Sequence, residues 1–159
     1  MIREYRTEDR AQLEECYVEL QDAERVLDPV LEEGRVVVER YLEQMFRECA
    51  EAEGEVFVAE EDGRVVGFVC VWAKVASKAV EEKQYEYSYV SDLVVLPGYR
   101  RRGLGRALLQ TAEDYALGKG ATILRLFVMA KNTGAKTLYE SFGFEERIIA
   151  MWKDLPARD

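Results

Sequence analysis

Histidine is absent from the whole sequence, which removes Ser–His and Cys–His nucleophilic pairs and every histidine-ligated metal site. Any chemistry therefore falls to carboxylate, tyrosine, thiol, lysine or backbone groups, and no metal is expected. Cysteine is scarce and odd in number: Cys16, Cys49 and Cys70 stand far apart in apolar, periodic segments and read as reduced, buried thiols rather than a disulfide frame. No apolar run approaches the ~20 residues of a membrane helix, and Met1-Ile2-Arg3-Glu4 does not open a signal peptide. A soluble cytoplasmic protein without a membrane partner is the expectation. An excess of basic residues is also missing, since the net charge is -9 and the pI about 4.8. A nucleic-acid binder needs a broad positive face, which this balance argues against.

What is present suits one globular domain over residues 1–159, because 48% hydrophobic residues in a chain of this length make a core large enough to fold alone. The charge is unevenly placed. Met1 to Glu60 carries 18 acidic against 7 basic residues, a net of -11, whereas Glu61 to Asp159 carries 13 against 15, a net of +2. An acidic first half attracts a cationic acceptor, or simply forms solvated helix faces.

Periodicity places a short strand at Ile2 to Tyr5 and a helix from about Glu8, N-capped by Thr7, with Leu13, Cys16, Tyr17 and Leu20 on one face. Asp28-Pro29 breaks the chain. A second helix follows Gly34, striped by Val38, Tyr41, Leu42, Met45 and Cys49. Glu55 to Glu60 and Arg64 to Ala73 read as a hairpin turning at Glu61-Asp62-Gly63. Ala76 to Gln84 is a charged connection, and Tyr85 to Val95 a long strand with tyrosines at 85, 87 and 89. A helix at Leu104 to Leu117, a strand at Thr122 to Val128, a helix at Thr133 to Phe142 and a final strand at Glu145 to Lys153 complete the order β α α β β β α β α β. That order reads as a single α/β domain.

One segment carries a chemical signal. Val94 to Gly105, V-V-L-P-G-Y-R-R-R-G-L-G, runs from an apolar strand through a Pro-Gly turn into a basic, glycine-spaced loop that opens a helix. The first amides of a helix lack carbonyl partners and sit at the positive end of its dipole, so they suit a phosphate. Gly103 and Gly105 let oxygens approach the main chain, and Arg100, Arg101, Arg102 and Arg106 add guanidinium groups. A Walker loop is absent, and a Rossmann fingerprint needs a third glycine where this chain has Leu108.

The loop resembles the pyrophosphate signature [Q/R]-x-x-G-x-[G/A] of the GNAT superfamily of acyl-CoA-dependent N-acyltransferases, met by Arg100, Gly103 and Gly105. Downstream, Asn132, Ala135, Leu138, Tyr139, Gly143 and Phe144 resemble that family's N-x-x-A-x-x-L-Y-x-x-x-G-F stretch, at the family's usual distance from the loop. The element order also matches, least well between Asp22 and Phe46, where the family varies. The resemblance implies a mixed, mostly antiparallel sheet of about six or seven strands, splayed into a V between the fourth and fifth and flanked by about four helices.

It also implies that acetyl-CoA is the co-substrate. Pyrophosphate would lie on the amides of Arg101, Arg102, Gly103, Leu104, Gly105 and Arg106, while Leu93, Val94 and Val95 would offer backbone groups to pantetheine and to the thioester oxygen. Asn132 would bond the pantetheine arm or act as a helix cap. Tyr139 would return a proton to the departing CoA thiolate, or pack as an apolar residue. Relatives often carry a general-base Glu where this chain has Ser91, which leaves Asp92 as the nearest carboxylate, with Glu86 and Tyr85, Tyr87 and Tyr89 as alternatives acting through water. The implied reaction is direct transfer of an acetyl group to a primary amine. The acidic first half favours a small cationic amine. Acetylation of protein N-termini or lysines, and a non-catalytic acyl-CoA-sensing module, are the alternatives. The second helix and the final strand, with Trp152, carry apolar surface suited to a homodimer.

Overall fold

A computed structural model describes residues 1–157. Five strands form one sheet in the order β1-β2-β3-β4-β5: Ile2–Glu4, Glu55–Glu61, Arg64–Ala76, Glu86–Val95 and Leu124–Leu126. The first four pair antiparallel, and β4 pairs parallel with β5. Four helices flank them: α1 (Arg10–Leu27), α2 (Gly34–Glu51), α3 (Leu104–Gly118) and α4 (Thr133–Phe142). No described helix is long and apolar enough to cross a membrane.

β3 holds the centre because its side chains are apolar on both faces, the pattern of a strand covered on both sides. Phe68 and Cys70 turn to one face with Leu13, Cys16 and Tyr17 of α1 and Leu42, Met45 and Cys49 of α2. Val69 and Val71 turn to the other, against Leu108, Leu109 and Ala112 of α3. The three cysteines are free and buried, as expected. The hairpin between β2 and β3 turns at Asp62 and Gly63, both at positive φ (49° and 74°), which matches the twist of the flanking strands.

Two expectations fail. Thr7 does not cap α1: it opens a 3-10 turn, Thr7–Asp9, and α1 begins at Arg10. Asp9 organises this entry instead, accepting the Arg6 amide at 2.8 Å and a two-pronged bond from Arg3 at 2.7 and 2.8 Å. The sheet has five strands rather than six or seven. Residues 145–153 lie outside any strand, because a strand needs a partner ladder, and no backbone hydrogen bond ties the described residues beyond Phe144 to the rest of the chain.

Candidate active site

The site grows from a defect in β4. Cys70 opposes Asp92 and the next residue, Val71, opposes Val90, so Ser91 is a bulge that shifts the phase of the strand. Pairing of β4 with β5 runs only from Ser88↔Leu124 to Val90↔Leu126. From Ser91 to Val95 the β5-facing edge of β4 is open, which is the splay that the resemblance implies. Leu96 donates its amide to Val66 of β3 at 2.8 Å. Strand alternation therefore directs the amides of Asp92 and Val94 to β3, and those of Leu93 and Val95 to the open edge. Val94 is accordingly a core residue, buried against the α1 and α2 face, and its backbone is turned away from the splay. The Val95 carbonyl accepts Arg100 Nε at 2.8 Å.

β4 then leads through a 3-10 turn, Pro97–Tyr99, into the loop before α3. Gly103 caps α3 in the left-handed region at φ 82°, where a side chain costs roughly 1–2 kcal/mol. Gly105 answers a different constraint. A Cβ there would stand 3.3 Å from Leu138 Cδ2, so its small size lets α4 approach the start of α3. Among the described residues, no group accepts a hydrogen bond from the amides of Arg101 to Arg106; the first helical bond is Ala107 N to Gly103 O at 2.9 Å. Six consecutive unbonded N–H groups at a helix N-terminus form an anion cradle. The guanidinium groups do not all converge on it. Arg100 bonds Val95 and lies 3.4 Å from Glu19, Arg102 reaches Glu61 at 3.2 Å, and Arg106 reaches the Ser141 carbonyl at 3.4 Å and lies over Phe142. Arg101 is exposed.

The open edge of β4 leads into a cavity of about 250 Å³, walled by Tyr17, Gln21 and Glu24 of α1, Leu31 of the α1–α2 connection, Tyr41 of α2, Ser91, Asp92 and Leu93 of β4, Leu126 and Phe127 at the end of β5, and Tyr139 of α4. Asp92 is buried and accepts the Tyr41 hydroxyl and the Ser91 hydroxyl, each at 2.7 Å. Burial raises its carboxyl above the ordinary carboxylate range, and the two hydroxyl bonds partly oppose the rise. Tyr41 stacks on Tyr17 with ring centroids 4.2 Å apart. Burial and the Asp92 charge push both phenols up. Glu24, raised by burial and then by Asp92, has no ion-pair or hydrogen-bond partner for its carboxylate among the described residues.

Tyr139 projects from α4 with its ring edge-on to Phe144. Burial and then the charges of Glu24 and Asp92 bring its phenol up to about 12. Asn132 caps α4, accepting the Ala135 amide at 3.2 Å. Gly143 ends the helix at φ 105°, and the Phe144 amide bonds back to Tyr139 O at 3.0 Å. The N-x-x-A and G-F ends of the downstream stretch are thus the two caps of one helix.

The structure brings Tyr139, Asp92 and Leu93 to one cavity. It leaves out Glu86, exposed at the start of β4, and Tyr85 and Tyr87, which engage Arg125. Tyr89 packs between Trp72 and Phe127. Sequence reasoning missed Glu24, Tyr17 and Tyr41 as site residues: the helical stripes identify Tyr17 and Tyr41 as inward-facing, but only the fold shows that they face this cavity.

A larger cavity, about 450 Å³ beside β1, is lined by Arg3, Arg6 and Thr111 among others. Of its lining residues, Arg3 is held by Asp9 and Glu60.

The model of the acetyltransferase (GNAT) family matches residues 13–144. An uncharacterized N-acetyltransferase of Methanocaldococcus jannaschii is 36% identical over 100 residues, covering 60% of this chain and 42% of that protein. The [ribosomal protein bS18]-alanine N-acetyltransferase of Escherichia coli is 34% identical over 96 residues, 60% of this chain and 65% of that one. The matches thus span 42% to 65% of these relatives' lengths. The solved structure of a Bacillus halodurans protein, BH1408, superposes with a TM-score of 0.83 at 20% identity over 98% of this chain and 99% of that one. At that identity the likeness concerns the fold alone. Family match, cradle and splayed strand agree, and the chain belongs to the GNAT family of acetyltransferases.

Proposed function

We propose that the protein transfers the acetyl group of acetyl-CoA directly to the primary amine of a small cationic acceptor. The observation that carries this reading is the cavity at the open edge of β4, where three phenols and two carboxylates meet with no cationic side chain among the lining residues.

The pyrophosphate of CoA takes the free amides of residues 101–106, and the pantetheine arm lies along the Leu93 and Val95 edge, adding to it as a strand does. The thioester carbonyl then meets the Leu93 amide, which stabilises the charge that develops on its oxygen. Glu24 holds the incoming ammonium from the α1 side. Asp92, raised above its ordinary value by its burial, accepts the proton that the ammonium must lose, directly or through water. The amine lone pair forms the new C–N bond, the C–S bond breaks, the Tyr139 hydroxyl protonates the departing thiolate, and the second proton, lost by the nitrogen as the amide forms, passes through water to restore the Tyr139 phenol. No covalent enzyme intermediate is required. An alanine N-terminus is the second reading, supported by the activity named for the Escherichia coli relative.

Amine-dependent release of free CoA thiol, measured for Glu24→Gln beside the wild type, tests the assignment. With spermidine or a terminal diamine as acceptor, the variant is expected to raise KM about tenfold, equivalent to ~1.4 kcal/mol, with acetyl-CoA affinity unchanged. An unaltered KM removes Glu24 from acceptor binding.

A further inference from the structure

Asp92 is buried, and a hydroxyl stands on each of its oxygens: Tyr41 donates to Oδ1 and Ser91 to Oδ2, both at 2.7 Å. Every approach to the carboxylate is thus shared with a hydroxyl. The two are not equivalent, and the reason lies in the backbone of β4.

Neighbouring residues of a regular strand point to opposite faces, so side chains at 91 and 92 would not meet there. The bulge removes that restriction. Val90 belongs to the core under α3, whereas Asp92 reaches Tyr41 of α2 and Val94 packs with α1 and α2. Two residues on from Val90 the strand has changed face, and Ser91 is the residue inserted at the change. The insertion sets its hydroxyl beside the carboxylate, where pairing with β5 stops and the open edge begins. Ser91 is half-buried on the cavity wall, two positions before Leu93, whose amide faces that edge.

Tyr41 comes from the opposite side. Its ring stacks on Tyr17, whose hydroxyl is tied to Gln21 at 3.1 Å, so the phenol is a fixed donor that anchors Oδ1. The Ser91 hydroxyl turns about one bond, and while it donates to Oδ2 it keeps two lone pairs for a donor in the cavity. We propose that Ser91 is a catalytic residue, whose Oγ takes the proton of the acceptor ammonium as its own proton passes to Asp92 Oδ2. The relay rests on the transfer proposed above and specifies the last link of its proton path. An N–H bond of the ammonium breaks, an O–H bond forms on Ser91 as the old one is passed on, and the products are the neutral amine, an unchanged serine and the carboxylic acid of Asp92. No lysine or arginine lines the cavity to hold Asp92 ionised, and burial favours the uncharged acid that the step produces.

The test compares wild type, Ser91→Ala and Ser91→Thr across pH, with free CoA thiol as the readout and two acceptors: trimethylenediamine and its analogue carrying two fluorines on the central carbon, which lower the basicity of the amines. The other titratable groups within range of the Asp92 charge, Tyr17 and Glu24 of α1, Glu48 of α2, Cys70 of β3, Tyr89 of β4 and Tyr139 of α4, are kept in every variant. With trimethylenediamine, S91A is expected to lower the plateau of kcat about tenfold or more with KM for acetyl-CoA unchanged, and S91T, which keeps a hydroxyl on the same carbon, to restore most of it. With the fluorinated acceptor, which arrives with its amine already neutral, S91A and wild type are expected to turn over at similar rates. A loss equal on both acceptors overturns the relay, since it reports damage to the site as a whole. So does an S91A profile whose acidic limb shifts while its plateau is kept, the mark of a hydroxyl that only stabilises the carboxylate, and so does an S91T as slow as S91A. Wild-type turnover that S91A matches overturns the relay alone, whereas a wild type that acetylates neither diamine overturns the transfer reading and the relay with it.

Discussion

At the scale of single residues, the proposed proton donor, Tyr139, and the proposed acceptor, Asp92, are both buried and both raised. Tyr139 has its phenol raised to about 12 by burial and by the carboxylates it faces, so it is protonated at neutral pH and available as an acid. Tyr139→Phe is expected to lower turnover at least tenfold, a loss of ~1.4 kcal/mol or more, with little change in acetyl-CoA affinity measured by calorimetry. Unchanged turnover would assign the ring to packing with Phe144.

Asp92 carries a testable conflict between chemistry and stability. Its carboxyl titrates above its ordinary value of 3.8 only in the folded chain. The folded form therefore holds this proton more tightly, and the resulting stability is present below the unfolded pKa and lost as pH rises through the folded one. At neutral pH the ionised group costs stability. Asp92→Asn is expected to reduce turnover about tenfold or more, yet to unfold at an equal or higher temperature near pH 7. That advantage should vanish near pH 3. A large drop in melting temperature at pH 7 would show that the Tyr41 and Ser91 bonds outweigh the burial of the charge.

At the scale of elements, the working parts are the bulge at Ser91, the open edge that follows it and the unbonded start of α3. Gly103 and Gly105 are spaced as a motif but serve different ends. Gly103→Ala strains a backbone at φ 82° and is expected to weaken CoA binding about tenfold or more, while far-ultraviolet circular dichroism keeps α3 intact. Arg101→Ala, which removes a side chain but keeps the amide, is expected to weaken it less. The reverse order would place the main contribution in guanidinium charge rather than in the main chain.

Much of this was legible in the sequence. Helical stripes and the Asp62-Gly63 turn located α1, α2 and the hairpin, and the glycine-spaced loop located the cradle, because each rests on local periodicity or local backbone geometry. The Thr7 cap was misplaced because Asp9, two residues later, is recruited by Arg3 on a strand, a contact that no local rule contains. Glu24 was invisible as a site residue, since nothing in α1 shows that its C-terminal half reaches β4. The strand expected at Glu145 to Lys153 has an apolar pattern suited to a strand, but among the described residues no backbone ladder forms there.

At the scale of the whole molecule, charge and architecture point the same way. The acidic surplus of the first 60 residues, a net of -11, belongs largely to α1, α2 and their connection, which wall one side of the cavity, while the proposed phosphate cradle lies in the weakly basic remainder. On the proposed function, an anionic co-substrate and a cationic acceptor would be drawn to different sides of β4. Transfer itself is tested most directly with acetyl-CoA carrying isotopically labelled acetyl, incubated with the protein and pools of polyamines, amino sugars, amino acids, and lysine or alanine-ended peptides, with the products read by mass spectrometry. The prediction is label on an amine nitrogen, in the polyamine or amino-sugar pool first, and in no pool with Tyr139→Phe at comparable rate. Label confined to acetyl-CoA and free acetate across every pool, from a protein that binds CoA, would contradict it.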